Sequence, residues 1–439
     1  MRNKSLATFL AFGLLASNVH AETLEGALAK ALQSNPSFAA AKSNYEATYK
    51  SQYVTMADML PQVTAFASET RSNTDAENYR TGLVYGPANT GDLDTDAYGV
   101  SVTQSLFTSG KNLNAFRSKR AEVRSARADL TETEQQILLS AIVAYLDVLR
   151  SQSVYELNVQ NVNVLERQLE AVKDRFEVGV VTRTDVAQSQ AALAGAQAAL
   201  LSAEADLRGV KAVYREVVGE EPVDLSEIQK DPRLPRDIEE AIAIARRESP
   251  VLLSSKEMSA SGRFNTYSAV GAALPSISVT GRYTNYEDPS SALKGVEMEV
   301  TEVVATLTVP LFRGGRALFG VSAARNYSDA LAYQVHATSD AVERGVIVAW
   351  NNYQAAAGAI SANEQVIQAS SIALEGVRQE NNLGTRTNLD VLDAEQDLLD
   401  GRVALVTAQN AKSVAAYSLL ASIGRLTSGR LRIANGESN

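Results

Sequence analysis

Two short stretches of the sequence combine residue types capable of chemistry. In the first, Thr182 stands three positions before Asp185, with Thr184 between them. In the second, Thr387 stands three positions before Asp390, with Arg386 just ahead and Asp393 one turn further on. A Thr followed three residues later by an acid is the spacing of a helix N-cap. The carboxylate then satisfies free N–H groups of the first turn and complements the helix dipole. That role accounts for Asp185 and Asp390 without any function, but not for Asp393, whose counterpart in the first stretch is Gln188. Asp390 and Asp393, at i and i+3, share one helix face. Repeated about a symmetry axis they would form rings of carboxylates that repel, raise some of one another's pKa values and attract cations. Little other chemistry is available. The chain has no Cys and two His, His20 and His336, which excludes disulfide frameworks, zinc ribbons, thiol enzymes and a lipid-carrying Cys. A His-ligated metal site or His-based triad has almost no material. No cofactor or phosphate-cradling motif occurs. With 51 Asp+Glu against 41 Lys+Arg, the chain lacks the basic excess by which proteins displace counterions from nucleic acid.

The elements that must carry these stretches follow from the pattern of the chain. Arg2 and Lys4, the apolar run from Leu6 to Leu15 and the small-residue spacing at Val19-His20-Ala21 read as an export signal over 1–21. Beyond it the chain is written twice. At one offset Ala27/Ala241, Ala31/Ala245, Pro36/Pro250, Tyr53/Tyr267 and Pro61/Pro275 coincide. At a second, slightly shorter offset Leu106/Leu311, Phe107/Phe312, Gly110/Gly315, Gly179/Gly384, Thr182/Thr387, Asp185/Asp390 and Gly219/Gly424 coincide. The repeats are 22–223 and 224–439, with a longer loop in the first. All ten Pro lie outside 111–218 and 316–424. Since an interior Pro breaks a helix, both windows read as almost continuously helical, the first running from Lys111 to Val178, about 100 Å. Val162, Leu165, Leu169, Val172 and Phe176 step as a coiled-coil seam, continued after the hairpin by Leu193, Ala196, Leu200, Ala203, Leu207, Val210, Tyr214 and Val217. A solid antiparallel helical bundle fits this part equally well. The return helix 185–218 and the stretch 37–59 are expected to stack end to end beside the long helix.

Four segments, about 62–71, 97–107, 276–286 and 300–309, alternate greasy with small polar residues, as in Tyr98, Val100, Val102 and Leu106 against Gly99, Ser101, Thr103 and Ser105. This is the length and period of outer-membrane barrel strands, although a half-buried soluble sheet has the same period. Four strands cannot close a barrel, and lipid forbids an open edge. The protomer must therefore associate with copies of itself. Two or three copies would give 8 or 12 strands, of which twelve would leave a pore and eight would fill with side chains. The low aromatic content, 6% beside 45% hydrophobic, suits thin helical walls better than a thick core.

In its duplication, the Ser34-Asn35-Pro36 turn, the Leu60-Pro61-Gln62 strand entry, Gln104-Ser105-Leu106-Phe107 with Gly110, and above all Gly384-Thr385-Arg386-Thr387-Asn388-Leu389-Asp390-Val391-Leu392-Asp393, the chain resembles the TolC family of outer-membrane channel proteins over essentially its whole length after the signal. The resemblance implies a mainly α protomer of long coiled-coil helices with four transmembrane strands. It also implies a homotrimer whose 12-stranded barrel is continued by a periplasmic α-helical barrel with a closing iris. It implies a periplasmic adaptor and an inner-membrane ABC or RND-type transporter, with drugs or secreted protein as cargo. Asp390 and Asp393 then line the constriction, and the family's closing contacts map onto Arg386, Thr184 and Asp185. Gly179, Val180, Thr182, Gly384, Thr385 and Thr387 form the adaptor-facing tips. A tyrosine common near this tip corresponds to Asn381. A non-conducting coiled-coil spacer and a soluble periplasmic scaffold are the competing classes. Elsewhere, Trp350, aligned with Tyr145, and His336 read as packing or surface residues. The segment 72–96 reads as an exposed loop, 219–237 as a connector, and the stretch after Gly424 as a short polar tail.

Overall fold

The computed structural model describes residues 22–74, 91–228, 232–289 and 295–431. The stretch 1–21, read as an export signal, and residues 75–90 of the segment read as an exposed loop lie outside them. Each repeat runs helix, helix, strand, strand, long helix, return helix. The first holds α1 (Leu24–Ser34), α2 (Pro36–Ala57), β1 (Gln62–Thr74), β2 (Gly91–Phe107), α3 (Lys111–Glu177) and α4 (Arg183–Val218). The second holds α5 (Ile238–Glu248), α6 (Pro250–Gly271), β3 (Ser276–Glu287), β4 (Glu297–Thr308), α7 (Arg316–Asn382) and α8 (Asn388–Ser422). The duplication is thus visible element by element. α3 and α7 have 67 residues each, about 100 Å at 1.5 Å per residue. Both begin at a left-handed glycine, Gly110 and Gly315. The Ser34-Asn35-Pro36 turn caps α2, with Asn35 Oδ1 accepting from the N–H groups of Ser37 and Phe38 and Pro36 pre-set for the first turn.

The four strands form one antiparallel sheet in the order β1-β2-β3-β4. They run longer than the sequence pattern suggests, so both ends of 72–96 are strand rather than loop. Register places the greasy residues in rows. Val63 faces Val102, which faces Gly281, which faces Val303; Ala65, Val100 and Tyr283 make the next row. This face is open, with Val63 68% and Val303 74% exposed. The pairing shifts between Ser105 and Phe107, where β2 turns into α3. Gln104 donates there to the carbonyl of Met59 and Ser109 to that of Pro275.

The helical seam is largely as expected: Val162, Leu165, Leu169, Val172, Ala196, Ala203, Leu207 and Tyr214 are buried. Phe176 is the exception. It is exposed, in the last turn of α3 before the tip. The partner of α3 also differs from expectation. α4 covers one half, but on the other α3 packs more extensively on α6 of the second repeat than on α2. Ser118 bonds to Ser261, Ser125 to Ser254 and Arg124 to Glu257 across that contact. The pairs are small or polar, which lets the helices approach closely. α2 buries no residue of its own.

The main core is a belt where α1, α5 and the inner ends of α4 and α8 meet mid-length α3 and α7, with Leu28, Leu138, Ile142, Tyr145, Tyr214, Leu419, Ile423 and Leu426 fully buried. The most apolar window of α3, mean hydropathy 1.4, is half buried within the protomer. The connector is stitched into this belt: Leu225 bridges Glu22, and the Tyr145 hydroxyl donates to the carbonyls of Glu22 and Ser226. Trp350 is half-buried against the same belt and His336 is exposed. The stretch after Gly424 is no bland tail. Leu426 has no exposed surface, Ser428 N–H donates to Glu134, and Arg425 grips Glu248 through two bonds of 3.0 and 3.1 Å, joined by Arg430 at 2.8 Å and Arg247 at 2.7 Å. Those guanidinium bonds, Arg425 first, hold the Glu248 carboxyl down at about 2 from an ordinary 4.5. A depressed carboxyl stabilises the fold above its unfolded pKa and loses that contribution as pH falls through the folded value. Glu248 is 20% exposed, so solvent screening reduces the effect to about 1–2 kcal/mol. Glu248→Gln is expected to be less stable than the parent at pH 7. The gap should close as pH drops from about 4.5 toward 2, as read by hydrogen exchange at the α5–α8 junction.

Candidate functional site at the paired hairpin tips

The two tips share the same glycine stop and the same capping box. Gly179 and Gly384 both have φ +78°. At each, two amide bonds turn back onto the helix end: Gly179 N–H to Phe176 O and Val180 N–H to Arg175 O; Gly384 N–H to Asn381 O and Thr385 N–H to Glu380 O. This is the glycine stop that satisfies the last free carbonyls of a helix. The chain then restarts on a capping box. Thr182 Oγ1 accepts from Asp185 N–H at 3.3 Å, and Asp185 Oδ2 accepts from the Thr182 N–H and hydroxyl at 2.8 Å each. Thr387 and Asp390 repeat it at 3.2, 2.9 and 2.8 Å. The bonds from Thr387 hold the Asp390 carboxyl below the usual range, assisted by the Arg386 charge. Within one protomer the cap therefore acts opposite to the repulsion expected of a ring.

Arg386 is engaged inside its own hairpin. Its Nε donates to Glu380 at 2.9 Å, and a terminal nitrogen lies 4.0 Å from Asp390. Among the described residues, Thr184 and Asp185 of the same chain are not its partners. Asn381, the position aligned with a tyrosine, braces the tip by donating to the Arg386 carbonyl at 3.0 Å. Asp393 is exposed and lines the groove between α8 and the first hairpin, together with its repeat counterpart Gln188, Leu165, Ala192 and Leu389. No group of three or more metal-capable side chains occurs among the described residues.

What joins the tips to each other was not singled out from the sequence. Asn388 is buried. It donates to Ser189 Oγ at 2.8 Å and to the Asp185 carbonyl at 3.4 Å, and accepts from Gln168 at 3.2 Å. Arg175 reaches across to Asn382 at 2.9 Å and to Asn381 at 3.5 Å. The one available signal was the asymmetry of the repeats: Asn388 follows its cap where Arg183 follows the other. Arg378 pairs with Glu395 within the second hairpin.

An open sheet with a greasy face, set on paired helices of about 100 Å that end in twin capped hairpins, is a distinctive arrangement. The model of the family described as "Outer membrane efflux protein" matches residues 27–211 and 243–425, both repeats. The chain belongs to the outer membrane efflux protein family. Outer membrane efflux protein BepC of Brucella suis biovar 1 is 30% identical over 93% of this chain and 87% of that protein. Outer membrane protein TolC of Vibrio cholerae is 27% identical over 95% of this chain and 94% of its own length. The crystal structure of the outer membrane protein VceC from Vibrio cholerae shares the fold at a TM-score of 0.78, covering 91% of this chain and 96% of that one, at 20% identity. As an outer membrane efflux protein, the chain is an outer-membrane channel protein extending into the periplasm, and not an enzyme.

Proposed function

We propose that three copies of this protein close into a passive exit channel across the periplasm and outer membrane. The observation that carries this is the open sheet. Its edges, β1 and β4, have no neighbour among the described residues, while its outward face is apolar over the half nearest the helices. Lipid tolerates no such edge, and three four-stranded sheets give a 12-stranded barrel. The unpartnered flanks agree: α2 buries nothing, and α7 buries only Ser328, Val346, Ala349 and Leu374, so each is available to a neighbouring copy. In the trimer, Asp390 and Asp393 ring the periplasmic entrance and favour cations. Arg386 exchanges Glu380 for Thr184 and Asp185 of the adjacent hairpin to hold the entrance shut. The exposed tips, Gly179, Val180, Thr182, Gly384, Thr385 and Thr387, receive a periplasmic adaptor, which couples the channel to an inner-membrane ABC or RND-type transporter. Drugs or secreted protein would be the cargo.

The test is electrical. Purified protein in planar bilayers is expected to conduct with a small resting conductance. Arg386→Ala should raise that conductance several-fold by freeing the tips. A parent that extracts from membranes as a trimer but never conducts would instead identify a coiled-coil spacer. An unaltered closed state in Arg386→Ala would remove the latch.

A further inference from the structure

The sheet carries a second charged feature, far from the tips. Its other face, opposite the greasy rows, takes even positions of β1, β3 and β4 and odd positions of β2. It is built mostly of Ser, Thr, Ala and Gly, with a few apolar side chains. In the barrel this face lines the lumen. Only two of its described positions are charged, Arg282 and Glu302, and they are direct register partners on β3 and β4. Their row continues through Ser101 and Thr64, both uncharged.

The two charges do not neutralise each other. Among the described residues neither forms an ion pair within 4.0 Å. The Arg282 guanidinium instead lies over the ring of Phe66, 5.0 Å from its centroid, on a strand two places away. Gly99 makes this reach possible: it stands opposite Phe66 in register and offers no side chain to obstruct the space between. Stacking on the ring fixes the guanidinium plane while leaving its edge N–H groups free for carboxylate, sulfate or phosphate. Glu302 is exposed and, as the register partner of Arg282, belongs to the same face of the sheet.

We propose that Arg282, held over Phe66, and Glu302 form a charged belt inside the barrel that discriminates permeating ions, and the acidic groups of cargo, at the level of the outer membrane. The belt rests on the channel reading above, but acts independently of the hairpin tips. Three copies place equal numbers of guanidinium and carboxylate groups around one ring. Removing either sign unbalances the ring in opposite directions. Reversal potentials across a KCl gradient in planar bilayers test this. Arg282→Gln is expected to raise the cation-to-anion permeability ratio about two- to five-fold, and Glu302→Gln to lower it by a similar factor. Glu302→Gln decides the matter alone should Arg282→Gln fail to assemble. Unchanged ratios in a conducting parent and its assembled variants would overturn the belt and leave the channel standing. A parent that does not conduct would overturn the channel reading, and the belt with it.

Discussion

Gly99→Ala is expected to abolish most barrel assembly, while Gly281→Ala in the same sheet is nearly neutral. A Cβ built at Gly99 would overlap the carbonyl oxygen of Tyr283 and lie 3.0 Å from Thr284 Cα. Both obstacles are backbone of the neighbouring strand, so no rotamer change relieves them. Gly99 pairs with Thr284 across β2 and β3, the one seam that joins the strands of the two repeats. Relief would therefore require the repeats to separate within the sheet. A buried backbone clash of this kind falls in the severe class of about 4 kcal/mol or more. A Cβ at Gly281 meets nothing within 4 Å, and alanine there gains about 0.5–1 kcal/mol in backbone entropy. Heat-modifiable gel mobility of outer-membrane fractions measures the folded barrel directly. Equal amounts of folded protein from the two variants would refute the account of the β2–β3 seam.

The second large effect concerns the acidic helix start. Asp390→Ala would confuse two roles, because the Asp390 carboxylate accepts two bonds that close the capping box with Thr387. Asp390→Asn keeps a side-chain oxygen for the cap and removes the charge. Combined with Asp393→Asn, it should lower cation preference and sensitivity to multivalent cation block about ten-fold if the entrance rings control ion entry. Asp185→Asn removes a charge from the equivalent box on the other hairpin, whose helix has Gln188 where the second has Asp393. It should change selectivity much less. Single-channel recording distinguishes these cases. Unchanged selectivity and block in the Asp390/Asp393 double variant would sink the ring assignment, whatever the Asp185 variant does.

Much of the molecule is legible along the chain because it is local. The glycine stops at Gly179 and Gly384, the Thr–Asp boxes, the Pro-free helices and the alternating strands each follow from interactions within a few residues. Repetition at fixed offsets doubles every such signal. The duplication also foretells a protomer with exposed surfaces, since neither repeat contains a thick core. What the tertiary structure decided depends on contacts remote in sequence. The insertion of α6 beside α3 rests on small residues such as Ser118 and Ser261, 143 positions apart, whose types carry no partner label. Asn388 reads as an ordinary helix-start residue until Gln168 and Ser189 close around it. The stretch after Gly424 looks like a polar tail until Glu248 draws Arg425 and Arg430 onto the α5 end and Leu426 into the belt. Strand register likewise brings Arg282 level with Glu302 and within reach of Phe66. Local backbone preference wrote the elements. Long-range packing and charge pairing chose which of their side chains meet.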